Sequence, residues 1–256
     1  MVNIETHIWK NLHADIHLGK HEISMYHYSH SVIQPALERL TAKIAELQLQ
    51  SQEDISLCFV LSDMEPLKSL TIQSFALAIQ SLFERSFRQY LISCAHELKW
   101  ETKNIDKKLI TGKWPDLQEA FLKLKGIDLR SFDSYKMLDC LQLLGNACRH
   151  GDGPSLETLA QKHPEFWIEP HQANPLPPLG FLRPEIPPQP KRKISDIALS
   201  EDHLHAFVNA IIWFWNDHEY IYINSISSKN PHISQTLAKM RKARANRSPC
   251  KPTNIV

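Results

Sequence analysis

Glycine, cysteine and net charge are all scarce in this 256-residue chain, and each shortage excludes something. Seven glycines stand against 16 prolines, with the prolines crowded into one segment, which points to long regular elements and one extended connection. Cys58, Cys94, Cys140, Cys148 and Cys250 are odd in number and widely spaced, and no two form a Cys-x-x-Cys pair. That pattern argues against a disulfide framework and for reduced thiols, three of them in apolar helical surroundings, in a reducing cytoplasm. The formal net charge is +1, so the field of the whole molecule gives no reason to expect nucleic-acid binding, and any such binding must come from a local patch.

Long apolar runs are missing too. The most apolar short stretch, Ala210 to Trp215, is far below the roughly 20 residues that span a bilayer, so no membrane association is expected. Asn3, Glu5, His7 and Lys10 interrupt the N-terminus, where a secretion signal would need an apolar run. A Gly-rich phosphate loop, a nucleophile elbow and a zinc-protease histidine pair are absent, and no cofactor or metal is expected.

What the chain does have is helical periodicity. Strict alternation never extends beyond five residues, whereas every long periodic segment fits a 3.6-residue period, so the fold class is all-α with five or more helices. From 23 to about 52, Val32, Ala36, Leu37, Leu40, Ile44 and Leu47 recur at spacings of three and four, with Pro35 either kinking the helix or marking its first turn. A short apolar piece, Leu57 to Leu61, precedes the strongest stripe, Ile72, Phe75, Ala76, Ile79, Phe83, Phe87, Tyr90, Leu91, Cys94 and Leu98. Residues 101–115 read as polar and turn-like.

A helix from about Asp116 to Lys125 stops at Gly126, and another begins near Ser131 or Asp133 and runs to Cys148 before Gly151, Gly153 and Pro154. Ser155 caps a short helix that ends near His163. Eight prolines between 170 and 190 forbid helix and central strand over 169–193. Phe181 and Leu182 suggest that this connection packs along the domain. Ser200 caps a further helix, and a last amphipathic piece covers 233–245. The chain thus divides into a bundle (1–168), an extended connection (169–193), C-terminal helices packing on the bundle (194–245) and a basic tail (246–256).

Three clusters carry possible chemistry. Asn146, Arg149 and His150 stand at i, i+3 and i+4, opposite an apolar stripe, and so share one helix face beside a loop with Asp152. Arginine offers a bidentate fork to phosphate and histidine moves protons near neutral pH. The plainer account is that Arg149 and His150 complement the negative end of a helix and Gly151 caps it. His7, His13, His17, His21, His27 and His30 crowd the first thirty residues. His13, His17 and His21, four apart, suit either a transition metal or an ordinary surface. Lys239, Arg241, Lys242, Arg244, Arg247 and Lys251 form a basic run that either grips phosphates or is a solvated terminus.

The stretch Leu138 to Gly153, Leu-Asp-Cys-Leu-Gln-Leu-Leu-Gly-Asn-Ala-Cys-Arg-His-Gly-Asp-Gly, resembles the signature region of HEPN-like proteins. In that family a helix carries an arginine, usually followed by asparagine or another polar residue, and a histidine four to six positions on. The resemblance implies an antiparallel helical bundle, a homodimer or protein partner, and engagement of RNA. In many members it implies metal-independent ribonuclease activity in toxin, antiviral or RNA-processing systems. Asn146 fits the polar position and His150 the histidine, but Gly145 occupies the arginine's place. Either Arg149 supplies that charge from one turn later or the chain is a non-cleaving interaction subunit. On the first account His150 is the acid or base, Arg149 the phosphate clamp and Asn146 an orienting partner. Glu84, Arg85 and Arg88 become further contributors if the long helix packs beside the motif.

Overall fold

The structure, a computed structural model, describes residues 3–16, 18–99, 103–167, 192–227 and 230–248. Among them there is no strand. The 23–52 pattern becomes helix α1 (Gly19–Tyr28) running through a π turn, Ser29–Ile33, into α2 (Gln34–Gln50). Pro35 lies in the first turn of α2, so the two readings of that residue merge. It removes one backbone donor, and the preceding turn widens to π geometry around it.

Helix α3 (Leu57–Glu97) joins what the sequence separates, because it runs through Pro66. Ser62, the residue whose carbonyl loses its donor to that proline, is exposed, so water can satisfy it. Residues expected to be turn-like instead form α4 (Lys103–Thr111). The reason is tertiary. Leu109 is buried, and the Arg88 guanidinium donates to the carbonyls of Leu109 and Gly112, each at 2.6 Å, which adds to the local bonds that the Gly112 N–H and the Thr111 hydroxyl make at that helix end.

Helix α5 (Trp114–Lys125) opens with Lys113 N–H donating to Asp116 at 2.8 Å and closes on Gly126 in the left-handed conformation, φ 69°. Helix α6 (Tyr135–His150) starts a little after the expected caps, with Ser134 at its cap position and Asp133 paired with Arg244 at 3.2 Å. After Gly151, which also has φ 69°, come α7 (Pro154–Lys162), α8 (Glu201–Ser225) and α9 (Pro231–Ala245). Ser200 caps α8 as expected, with His203 completing a reciprocal cap.

The helices form an all-α bundle in which α3 packs against α2, α5, α6 and α8, while α7 lies on α6 and α9 on α8. The expected stripe of α3 is its core face. Phe83 and Phe87 meet Phe121 of α5 and Phe214 and Trp215 of α8, with His218 of α8 stacked on Phe132 at 5.0 Å. The N-terminal segment is clamped onto this core. The Lys125 ammonium donates to Asp15 at 2.6 Å, the Tyr90 hydroxyl to the other Asp15 oxygen at 2.6 Å, and Glu97 accepts from the backbone of His13 and Ala14. The pair is buried, so truncating one partner would leave an uncompensated charge.

Of the proline-rich connection only Arg192 and Lys193 are described. Lys193 accepts from the Trp167 indole at 3.1 Å and Arg192 donates to Ala160 at 2.8 Å. Phe181 and Leu182 lie outside the described residues, as do most of the basic tail and His17. No helix among the described residues is long and apolar enough to cross a membrane. At the α2–α3 end Leu49, Ile55, Phe59, Val60, Leu67 and Leu70 are exposed.

Burial gives the core a pH signature. Burial pushes the His218 imidazole down to about 3 and His21, stacked on Trp215, down to about 4. Both pKa values are lower in the folded chain than in the unfolded one, so stability is lost as pH falls from 6.5 towards those values. Asp217, pushed by burial up to about 6, works in the opposite sense and offsets part of this loss. In thermal unfolding at pH 6.5 and pH 4.5 the wild type is expected to be clearly less stable at the lower pH. His218→Phe should flatten the dependence by about 1.4 kcal/mol per pH unit. An unchanged slope in the variant would show that His218 is protonated in the fold.

Candidate functional site

The site is built where α6 leaves the bundle. Gln142, Gly145 and Arg149 lie along the α6 face that meets α3, and Gln80 of α3 meets them with no exposed surface. A Cβ at position 145 would stand 2.6 Å from Gln80 Cγ and 2.9 Å from its Cβ, so glycine is what lets the two helices approach this closely. The Gln80 amide uses both ends. Its Oε1 accepts from Arg149 at 3.1 Å, and its Nε2 donates to Gln142 at 2.9 Å and to Glu84 at 2.5 Å.

Glu84 in turn accepts two bonds from Arg88, at 2.9 and 2.7 Å. With the carbonyls of Leu109 and Gly112, these bonds commit Arg88 to the fold, so it borders the site without a free face for phosphate. Arg85 is exposed and shares a shallow groove with Arg149, Gln89 and Ile92.

Beside this network lies a cleft of about 580 Å³. Asn146, Arg149 and His150, the three residues expected to share a face, all line it. Lys113, Trp114 and Pro115 form the α5 side, Lys162 comes from α7, and Glu84, Asp139, Gln142 and Leu143 complete the walls. Sequence reasoning missed Trp114, Gln142 and Lys162, which reach the cleft only through tertiary packing. Asp139 accepts from the Trp114 indole at 3.0 Å and from Lys162 at 3.3 Å, so the Lys162 charge is paired. Glu84 pairs Arg88 in the same way. The positive charge left over is that of Arg149 and Lys113, with the exposed His150 ring beside them. Among the described residues the Arg149 side chain bonds only Gln80 and Ser81, both through Nη2, which leaves Nε and Nη1 for a ligand. Such an arrangement suits an anion held by a single guanidinium edge next to a proton carrier.

The other clusters take different roles. His7 meets the Lys125 carbonyl at 2.9 Å, His21 stacks on Trp215 at 4.5 Å and His30 on Tyr26 at 4.0 Å. Among the described residues no group of three His, Cys, Asp or Glu side chains is placed to hold a metal ion. In the basic run Arg241 donates to the Tyr220 hydroxyl at 2.9 Å, Arg247 meets the buried Asp217 at 2.7 Å, and Arg244 reaches Asp133 and Asp217. Those arginines hold α9 to α8. Lys239 and Lys242 stay exposed. Compared with family profiles, curated proteins and solved structures, the chain matches none.

The Gly145 contact makes a prediction. Gly145→Ala gains about 1 kcal/mol in helix propensity, while overpacking against the near end of Gln80 costs about 1–3 kcal/mol. Urea unfolding is expected to show a net loss of about 1 kcal/mol. A variant more stable than the parent would mean that α3 and α6 are free to move apart.

Proposed function

We propose that the cleft binds the sugar-phosphate backbone of RNA and that the chain is an HEPN-like ribonuclease that works without metal. The observation that supports this reading is the convergence of Arg149, His150 and Asn146 on one cleft whose remaining charge is positive. Arg149 offers the unspent Nη1 donors to a phosphate, and a guanidinium there stabilises the charge that develops on the phosphorus oxygens. His150 takes the proton of the ribose 2′-hydroxyl, whose oxygen attacks phosphorus. The bond to the 5′-oxygen breaks, and that oxygen takes its proton from solvent. Asn146, half-buried one turn before His150, orients the hydroxyl. A toxin or antiviral setting rests on the resemblance alone.

The test is cleavage of mixed RNA by purified protein in chelator. His150→Ala is expected to lose cleavage by about 10²- to 10⁴-fold with the fold intact, because loss of a general acid or base has that scale. Arg149→Ala should weaken cleavage and RNA binding together. Unfolding of His150→Ala would instead make the histidine structural.

One observation favours a second reading. Position 145, where the resemblance expects arginine, is sealed against Gln80, so the chain is a non-cleaving interaction subunit if Arg149 does not replace that charge. Wild-type protein that shows no chelator-resistant cleavage yet elutes as a stable oligomer decides for this reading.

A further inference from the structure

The cleft has a second half that phosphate binding does not use. Its α5 wall is Trp114 and Pro115, and on α6 Leu143 lies about two turns before His150. Trp114 is half-buried and fixed from behind, edge-on to Phe83 and tilted against Phe87, while its indole N–H is held by Asp139. Its ring therefore holds one orientation before any ligand arrives.

Next to it lies an unspent donor. Gln142 is buried and lines the cleft, and its Nε2 has no hydrogen-bond partner among the described residues. The orientation of that amide is fixed by the chain of bonds behind it. Arg149, which only donates, requires Gln80 Oε1 on its side; Gln80 must then turn Nε2 towards Gln142, which answers with Oε1. Reversing the Gln142 amide would set donor against donor. A buried, unpartnered N–H costs about 1–3 kcal/mol, which an acceptor on a bound ligand recovers once side chains of the lining shift to uncover Nε2, whose own exposed surface is close to nil.

We infer that the cleft takes one unpaired nucleotide of single-stranded RNA, with its base against Trp114 and Leu143, its carbonyl hydrogen-bonded by Gln142 Nε2, and its phosphate on Arg149. This rests on the phosphate-binding reading above and names its substrate class. An aromatic ring fixed beside cations is how single strands are held, because every base has a face to stack, and a paired base has none to offer. The cleft volume suits a ligand of nucleotide size.

The test is fluorescence anisotropy of the full chain at one salt concentration with three labelled probes: an oligouridylate, an abasic ribose-phosphate oligomer of equal length, and an RNA duplex. The oligouridylate is expected to bind at least about five-fold more tightly than the abasic oligomer, the lower end of what one stacked base contributes. In Trp114→Leu and in Gln142→Met the ratio of those two affinities should fall towards one, and Trp114→Phe, which keeps a ring, should restore most of it. Should Trp114→Leu fail to fold, Leu143→Glu, at a half-buried position of α6, carries the same expectation. Equal affinity for the abasic oligomer and the oligouridylate, or tightest binding of the duplex, overturns the inference and leaves the phosphate reading standing. Absence of binding to all three probes overturns the phosphate reading itself.

Discussion

The Gln80 side chain is the constraint on which the site depends. Placed where α3 and α6 touch, it has no water to bond, and an amide buried without partners costs enough to decide the local geometry. It is satisfied by Arg149, Gln142 and Glu84, and each of those bonds fixes one part of the cleft. The Glu84 branch continues through Arg88 to the carbonyls of Leu109 and Gly112, and so holds the α4–α5 turn from which Lys113 and Trp114 enter the cleft. One polar network therefore sets both the cationic and the aromatic wall. The glycine opposite is its precondition, because any side chain at 145 would occupy the space that Gln80 fills.

The parts of this arrangement that were legible in the sequence are the local ones. The stop of α5 at Gly126, the Ser200 cap of α8 and the stripe from Ile72 to Cys94 depend on backbone conformation and periodicity, which single residues announce. So does the shared orientation of Asn146, Arg149 and His150, which follows from spacing on a helix. What the sequence hides is set by distant partners. Helix α4 reads as a turn because part of what closes its end, Arg88, is on another helix. Trp114 reads as one more aromatic and Gln142 as one polar residue on an apolar helix. Their places in the cleft exist only once α3, α5 and α6 have packed.

Charge shows the same limit. The basic run near the C-terminus looks like a patch for phosphates, yet Arg244 and Arg247 are taken up by Asp133 and Asp217, and Arg241 donates to the Tyr220 hydroxyl. Asp217 explains why. Burial raises its carboxyl to about 6 even with Arg247 and Arg244 beside it, so at neutral pH a costly buried charge is present, and the arginines stay to offset it. Counting charges along a chain cannot separate those that serve the interior from those left for a ligand. Here the latter include Lys239, Lys242 and Arg241 on α9 and, in and beside the cleft, Arg149, Lys113 and Arg85.

This also changes the meaning of the departure at Gly145. A long cationic side chain at that position would be aimed into the α3–α6 contact, where Gln80 leaves it no room and no water. Four residues on, the same helix face reaches its exposed end, and a cation there keeps its hydrogen bond to Gln80 while two of its nitrogens remain available. With α3 and α6 packed this closely, Arg149 is the position on that face from which a guanidinium can both be oriented by the interior and meet a ligand. The close crossing thus excludes a cation at 145 and accommodates one at 149, where the helix face has reached solvent.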